Sequence, residues 1–355
     1  MLSGERREME VNDHVCGRRY LVFALLAGCF VFALAYANRT TFPFPSNDEA
    51  RFYLPAFWWA EHFSLSPTNL HAPSGIFWVP DGFTIFIGLA LRLFGESIQV
   101  ARTTCECIVS LGVTLFALGF RKLADSWKIG VLSTVLLLTP PVVLAANMVR
   151  MEAPLFLLIA LVLLLHVHGY FLARGSVLAG SLLLHPALGI AAAGYILIAC
   201  VTPLKAVSDR GAVAVMEWIL FAVVVIGISV ELLRIVHHLD LFRAHMTYQV
   251  HRMTGSPLHS KLIKPQGLIL MIGCLALATL LWRRHFQPEL GTVWDVLPMA
   301  AVILGILIYA VVAGEITCNV YSLSVGPALV LWLVCRDFLE SSGRPPHLIS
   351  EEQSP

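Results

Sequence analysis

Long apolar segments alternate with short polar connections along most of the chain. A helix needs about 20 mainly apolar residues to cross a bilayer, and many of these segments approach that length. Runs such as Leu155–Leu165 and Ile219–Val230 lack the alternation of a barrel strand, so the pattern predicts helices. The predicted spans cover residues 20–37, 98–120, 129–146, 153–172, 176–201, 212–233, 267–282, 295–313 and 318–335.

Two parts of the pattern need a different interpretation. Residues 82–94 are too short for a span and the stretch Arg51–Phe63 is amphipathic, so both are predicted to lie along the outer surface. The run at 176–201 is interrupted by His185 and Pro186. Because proline disrupts a helix interior, we expect two short segments that turn at the outer face. The prediction is therefore an all-α polytopic membrane protein of about ten transmembrane helices.

Basic residues predict the orientation of these helices. With the N-terminus in the cytoplasm, most basic turns fall on the cytoplasmic side, as the positive-inside rule requires. Residues 1–19 are then a cytoplasmic tail, residues 20–335 the membrane-embedded domain, and residues 336–355 a second polar cytoplasmic tail. The loop at 234–266 becomes external although it is basic, so either the local topology differs or these cations bind an anion.

Composition supports lipid as the solvent. Of the 355 residues, 57% are hydrophobic and 13% are charged, against about 25% charged in soluble domains. The net charge of +1 argues against a nucleic-acid partner. The eight cysteines form no Cys-x-x-Cys pair and fall mostly in apolar segments, which is typical of buried small side chains rather than of zinc sites or disulfides.

Three acids fall on one predicted membrane face. Asp48 and Glu49 follow the first span, and Glu152 opens a later one. A carboxylate at the membrane boundary can deprotonate a hydroxyl if it lies within hydrogen-bond reach of it. The alternative for each acid alone is a solvated loop carboxylate.

A second group of candidates is cationic. Arginine and lysine beside a membrane bind phosphate, arginine through its planar fork. The alternative is a basic patch that rests on anionic headgroups. The histidines of this group could suggest a metal, but their spacing does not build a firm site. The phosphate candidates are Arg150, His185, Arg243, Arg252, Lys261 and Lys264.

Ionisable residues inside the predicted spans support a different class of function. His185, Glu106 and Glu217 lie within or beside spans, where such residues are functional candidates. They could form the proton path of a transporter or flippase, a class that often shows internal repeats, whereas His185 alone could simply bond a neighbouring carbonyl. No internal repeat is visible in this sequence.

Several motifs together resemble the integral membrane glycosyltransferases of the GT-C superfamily, especially the bacterial aminoarabinose transferase and protein O-mannosyltransferase-like branch. The order and spacing of the motifs carry the resemblance, which extends from about residue 20 to residue 335. The motifs are NDEARFYLPAFWWAEH at 47–62, VPDGFTIFIGLALRLFGES at 79–97, VARTTCECIVSLGVTLFALGFRKLAD at 100–125, NMVRMEAPLFLLIAL at 147–161 and NVYSLSVGPALVLWL at 319–333.

This resemblance implies a GT-C-like fold and an inverting sugar transfer from a polyprenyl-phosphate donor. It makes Asp48 the catalytic base, assisted by Glu49 and Glu152. The sequence departs from the family at Glu152, where an aspartate is common, and at His185, where the aminoarabinose transferases have a lysine. The further substrate contacts that it suggests are Arg51, His251 and Tyr321.

The functional hypothesis is therefore a lipid-linked sugar transferase with an active site on the external face, as in a bacterial inner membrane. Its partners would be a polyprenyl-phosphate sugar, a lipid, glycan or protein acceptor, and membrane lipids. No cofactor is predicted, and a divalent metal stays an open option. The alternatives are a transporter or flippase, and a non-catalytic scaffold with the same fold.

Overall fold

The computed structural model describes the N-terminal two thirds of the chain. The described residues are 2–39, 47–65, 71–72, 75–76, 81–123, 127–138, 146–168, 170–184, 212–244 and 247. The spans predicted at 267–282, 295–313 and 318–335 lie outside them, as do His185 and the predicted break beside it.

The described residues are almost entirely helical. A two-residue antiparallel ladder, β1 (His71–Ala72) with β2 (Gly75–Ile76), pairs His71 with Ile76 and Ala72 with Gly75. The helices are α1 (Leu2–Asn38), α2 (Asn47–His62), α3 (Asp81–Phe94), α4 (Ile98–Leu123), α5 (Trp127–Leu137), α6 (Glu152–Val167), α7 (Phe171–Gly180) with a 3-10 turn at Ser181–Leu183, and α8 (Ala212–His237).

Three of these helices contain a segment long and apolar enough to cross a membrane. The segments are Gly17–Asn38 in α1, Ile98–Lys122 in α4 and Val215–His237 in α8. Each matches a predicted span within a few residues. The prediction of a polytopic helical membrane protein is thereby confirmed.

Two predicted spans are wrong in their extent. The span predicted at 129–146 is the shorter helix α5, which ends at Leu137, and Leu138 is not helical. The sequence predicted a single helix over residues 153–172, whereas α6 ends at Val167 and α7 begins at Phe171. The Tyr170 N–H donates to the carbonyl of Leu165 at 3.0 Å, and the Tyr170 carbonyl accepts from the N–H of Arg174 at 2.9 Å. The first bond closes α6 and the second opens α7, so the break is built into the backbone hydrogen bonding.

The helices α1, α4 and α6 form the core of the described bundle. Helix α1 runs antiparallel to α4: the Tyr20 hydroxyl donates to the carbonyl of Ala117 near one end, and Arg39 reaches Thr103 near the other. Helix α6 runs parallel to α4, since Phe156 packs on Gly112 and Leu163 packs on Gly119. Small residues at these contacts let the backbones approach closely, as lipid-exposed helix pairs require.

Helices α2 and α3 form a parallel pair at the end of the bundle where α4 begins. Phe52 packs edge-on against Phe83 with ring centroids 5.7 Å apart, and Arg92 donates to the carbonyl of Ala60 at 2.8 Å. Helix α3 has 14 residues, which at 1.5 Å per residue is about 21 Å and too short to cross the hydrocarbon core. The structure therefore agrees with the prediction of surface helices here.

Helices α7 and α8 also run parallel. The Ala173 N–H donates to the Glu217 carboxylate at 3.0 Å near the start of both helices. Further along, Leu183 packs on Gly227, and Arg234 near the end of α8 forms an ion pair with Asp81 at the start of α3. The end of α8 therefore lies on the same side of the bundle as α2 and α3.

The contact of α1 with α4 gives a direct test of the core. A methyl group on Gly28 would lie 2.7 Å from the backbone carbonyl oxygen of Ser110, whereas a methyl group on Gly17 meets no atom within 4 Å. We expect Gly28→Ala to cost about 1–3 kcal/mol, because backbone must move to admit it. Gly17→Ala in the same helix should leave the melting temperature in detergent unchanged or slightly higher. Equal melting temperatures for both variants would contradict this packing.

Candidate functional site

Six charged side chains meet at the end of the bundle where α4 and α6 begin. They come from the end of α1, the first turn of α2, the first third of α4 and the start of α6. Three are cations and three are carboxylates, so their formal charges cancel. This group, called the charge cluster below, consists of Arg39, Glu49, Arg102, Glu106, Arg150 and Glu152.

The most buried pair of the charge cluster is Glu49 with Arg102. Arg102 Nε donates to Glu49 Oε1 at 2.8 Å and Arg102 Nη2 donates to Oε2 at 2.7 Å. The two side chains are 0% and 1% exposed. This is the planar two-bond geometry that makes arginine–carboxylate pairs strong. The pair fixes the first turn of α2 against α4.

Glu49 also holds the turn that leads into α6. Its Oε1 accepts the backbone N–H of Val149 at 3.1 Å. Beside it, the thiol of Cys105 is buried and lies near the backbone of Arg150. The Glu49 carboxylate thus connects α2 and α4 to the residues that precede α6.

Arg150 and Glu152 form a second two-bond pair. Arg150 Nε lies 3.2 Å from Glu152 Oε2, and Nη2 lies 3.0 Å from Oε1. Glu152 is 6% exposed and Arg150 is 19% exposed. The carboxylate therefore orients a guanidinium that retains contact with the surroundings.

The third pair, Arg39 with Glu106, has a different geometry. Arg39 Nη2 donates to Thr103 Oγ1 at 2.9 Å and to Glu106 Oε2 at 3.3 Å. The Arg39 guanidinium also stacks on the ring of Tyr36, with 3.6 Å from Cζ to the ring centroid. Glu106 is fully buried, and Arg39 keeps 17% of its side chain exposed.

Asp48 is the second residue of α2 and directly precedes Glu49. Its side chain lies outside the described part of the structure. Its backbone is nevertheless placed by Glu49, because consecutive Cα atoms are about 3.8 Å apart. Glu49, Glu152 and the backbone of Asp48 do lie at one end of the bundle, the arrangement expected from the sequence. Arg51 is half-buried one helical turn after Asp48.

The remaining candidates are placed only in part. Arg243 is exposed on the helical segment at residues 239–244 that follows α8, and within the described ranges its guanidinium makes no ion pair. The candidates outside the described residues are His185, His251, Arg252, Lys261, Lys264 and Tyr321.

Tyr53 anchors α2 from its other side. Its hydroxyl donates to the carbonyl of Glu96 in the turn between α3 and α4, at 3.4 Å. Burial, together with the nearby charges of Glu96 and Glu61, raises the pKa of Tyr53 above its ordinary value. The phenol therefore stays neutral at physiological pH and acts as a hydrogen-bond donor.

The described side chains show no group of three or more His, Cys, Asp or Glu placed to hold a metal ion. The acids of the charge cluster face arginines instead. A divalent metal therefore stays a prediction that these residues do not support.

Two residues of the charge cluster were not among the sequence candidates. Arg102 and Arg39 lie near helix ends in a strongly apolar context. Ionisable residues inside spans are functional or paired by default, and that signal applies to Arg102. Their partners could not be read from the sequence, because Glu49 is 53 residues from Arg102 and Glu106 is 67 residues from Arg39.

Comparison with known proteins supports the fold. No protein-family model matches the sequence, and no curated protein matches it significantly. Among solved structures, the chain is similar to ArnT from Cupriavidus metallidurans bound to undecaprenyl phosphate, with a TM-score of 0.56 and 17% identity. The similarity covers 90% of this chain and 59% of that chain. The chain thus has a fold like that of ArnT, in agreement with the GT-C-like fold predicted from the sequence.

The buried pair gives a prediction for stability. Arg102→Met removes the cation and leaves a buried carboxylate, which we expect to cost about 3–5 kcal/mol. Adding Glu49→Gln should recover most of this loss, because the new amide oxygen can still accept the Val149 N–H. Melting temperature of the purified protein measures both effects. A double variant as unstable as Arg102→Met would contradict the pairing.

Proposed function

We propose that this protein is a glycosyltransferase that moves a sugar from a polyprenyl-phosphate donor to a hydroxyl of a lipid, glycan or protein. The GT-C-like fold supports the class. The observation that carries the proposal is the fixed position of Asp48: the next residue, Glu49, is held by Arg102 and Val149 at the end of the bundle that also presents Arg150. Such preorganisation is what a general base requires.

The structure favours different roles for the three acids. Both oxygens of Glu49 are held by Arg102 in a buried pair, so Glu49 acts as a positioning residue. Glu152 orients the Arg150 guanidinium in the same way. Asp48 is then the acid that we assign as the base.

The proposed reaction is a single displacement with inversion. The acceptor oxygen attacks C1 of the sugar while Asp48 takes the hydroxyl proton. The bond between C1 and the phosphate oxygen breaks, and its electron pair leaves with the polyprenyl phosphate. A cation oriented toward the developing phosphate charge lowers the barrier by several kcal/mol.

Arg150 is the cation that the described residues favour for the phosphate, because it is partly exposed and oriented by Glu152. Arg243, which is exposed beyond α8, is a second candidate. The sequence candidates His185, Arg252, Lys261 and Lys264 for phosphate, and Arg51, His251 and Tyr321 for other substrate contacts, complete the proposal. The active site would face the exterior, which is the periplasm in a bacterial inner membrane.

The geometry gives little support to a proton path for transport. Glu106 pairs with Arg39 at the charged end, whereas Glu217 accepts the Ala173 N–H near the start of α8. Arg234 lies near the end of α8 that is at the charged end of the bundle. It follows Glu217 by 17 residues, which is about 25 Å along the helix axis. The two acids are therefore at opposite ends of the bundle.

Sugar transfer in membranes tests the proposal. We expect Asp48→Asn to lower transfer from undecaprenyl-phosphate sugars by about 10²–10⁴-fold, because proton transfer to the base is lost. Glu61→Gln, which changes an exposed acid at the other end of α2, is the matched control and should retain wild-type activity. Radiolabelled donor and native acceptor membranes supply the assay.

Full activity of Asp48→Asn would remove Asp48 from the mechanism. Absence of transfer by the wild-type protein from every donor would favour a transporter or a scaffold. Unchanged expression and melting temperature of each variant are needed to separate chemistry from folding.

A further inference from the structure

The chemistry proposed above leaves the Arg39–Glu106 pair without a role. Glu106 lies one helical turn beyond Arg102 on α4, which is about 6 Å along the helix axis. It is fully buried, whereas Arg39 keeps 17% of its side chain exposed. A ligand at the charged end would therefore meet this pair from the side of Arg39.

The pair leaves hydrogen-bonding atoms unused. Within the part of the chain that the structure describes, Glu106 Oε1 and Arg39 Nε are both buried and have no hydrogen-bond partner. Buried polar atoms without partners are uncommon and costly, and each calls for an explanation. One of these atoms is an acceptor and the other is a donor.

A comparison with the Arg102–Glu49 pair shows that this geometry is not a general property of arginine in the bundle. Arg102 uses Nε and Nη2 to reach both oxygens of Glu49. Among the described residues, Arg39 donates through Nη2 and reaches one oxygen of Glu106. The second donor and the second acceptor are thus left for another group.

The charge of the pair restricts the chemistry of that group. Arg39 and Glu106 already neutralise each other, so an anion would meet the carboxylate and a cation would meet the guanidinium. A neutral hydroxyl donates one hydrogen bond and accepts others, and so it satisfies both atoms at once. A buried amide lies in the same region: Asn147, 1% exposed, has neither side-chain atom bonded among the described residues.

We propose that Arg39 and Glu106 bind a hydroxyl group of a sugar, with Glu106 Oε1 accepting from it and Arg39 Nε donating to it. The inference rests on the proposed function and assigns a specificity-determining pair to it. Sugars are rich in such hydroxyls, and the sugar could be that of the donor or that of the acceptor. Asn147, two residues from the Val149 N–H that binds Glu49, offers a further donor and acceptor to the same substrate.

The test measures how much one hydroxyl contributes to binding. Purified full-chain protein is titrated with undecaprenyl phosphate and with its glucose, mannose, galactose and arabinose conjugates, and the tightest conjugate is then compared with its monodeoxy derivatives. A hydrogen bond to a charged group corresponds to about a 10- to 100-fold loss of affinity for the deoxy sugar at one position. Methyl glycosides of the same sugars and their deoxy forms serve as acceptor analogues.

Two conservative variants show whether the hydroxyl binds this pair. Arg39→Lys keeps a cation for Glu106 but has no Nε donor, and Glu106→Gln keeps the shape but loses the charge. We expect the loss of affinity for the deoxy sugar to fall below about threefold in both variants, and to do so at one sugar position only. Thr104→Val is the matched control on α4, since within the described ranges the Thr104 hydroxyl bonds the carbonyl of Val100, and this variant should keep the full loss of affinity for the deoxy sugar.

The outcomes separate the two proposals. If the loss of affinity of the deoxy conjugates depends on Arg39 and Glu106, the pair binds the donor sugar. If the loss of affinity of the deoxy methyl glycosides depends on them, the pair binds the acceptor. Losses of affinity that are the same in all variants would overturn the inference and leave the two atoms to a bridging water, even if transfer depends on Asp48. If the wild-type protein neither binds undecaprenyl phosphate nor transfers sugar, the proposed function fails, and only the methyl glycosides could then still support the pair.

Discussion

The buried ion pair of Glu49 and Arg102 is the contact on which the arrangement of the charged end depends. Moving two charges out of water costs several kcal/mol each, and this cost is offset only when geometry and further hydrogen bonds are good. Here the guanidinium reaches both oxygens, and one oxygen also accepts the Val149 N–H. Three segments that are distant in sequence are therefore held together by a single carboxylate.

This neutral arrangement explains why the acids are not equivalent. The three carboxylates and three guanidiniums of the charge cluster balance one another. A carboxylate already bound by arginine stabilises structure but is poorly placed to accept a proton. The proposed mechanism assigns the role of base to Asp48 because Glu49 and Glu152 are bound by arginines, and Glu49 fixes the helix turn that contains the Asp48 backbone.

The sequence predicted the helices better than their partners. Length and hydropathy placed α4 at 98–120, and the helix spans Ile98–Leu123. The prediction failed at 153–172, where the break depends on backbone hydrogen bonds around Tyr170 that no hydrophobic period reveals. The family resemblance made Glu49 an assisting acid. Its pairing with Arg102 could not be predicted, because the two residues are 53 positions apart and helix packing brings them together. The prediction that these acids lie at one end of the bundle came from the number of spans between them.

Two kinds of contact hold the bundle together. Lipid gives helices little hydrophobic driving force to associate, so close packing of small residues matters along the spans. Gly28 of α1 packs against α4 in this way, and Gly112 and Gly119 of α4 pack against α6. In the part of the chain that the structure describes, directional ion pairs lie near the ends of the bundle. At the charged end, Glu49 and Arg102 fix the helices through a fully bonded pair. Under the proposed function, substrate preference would instead reside in a pair such as Arg39 and Glu106, which keeps an unused donor and acceptor among the described residues.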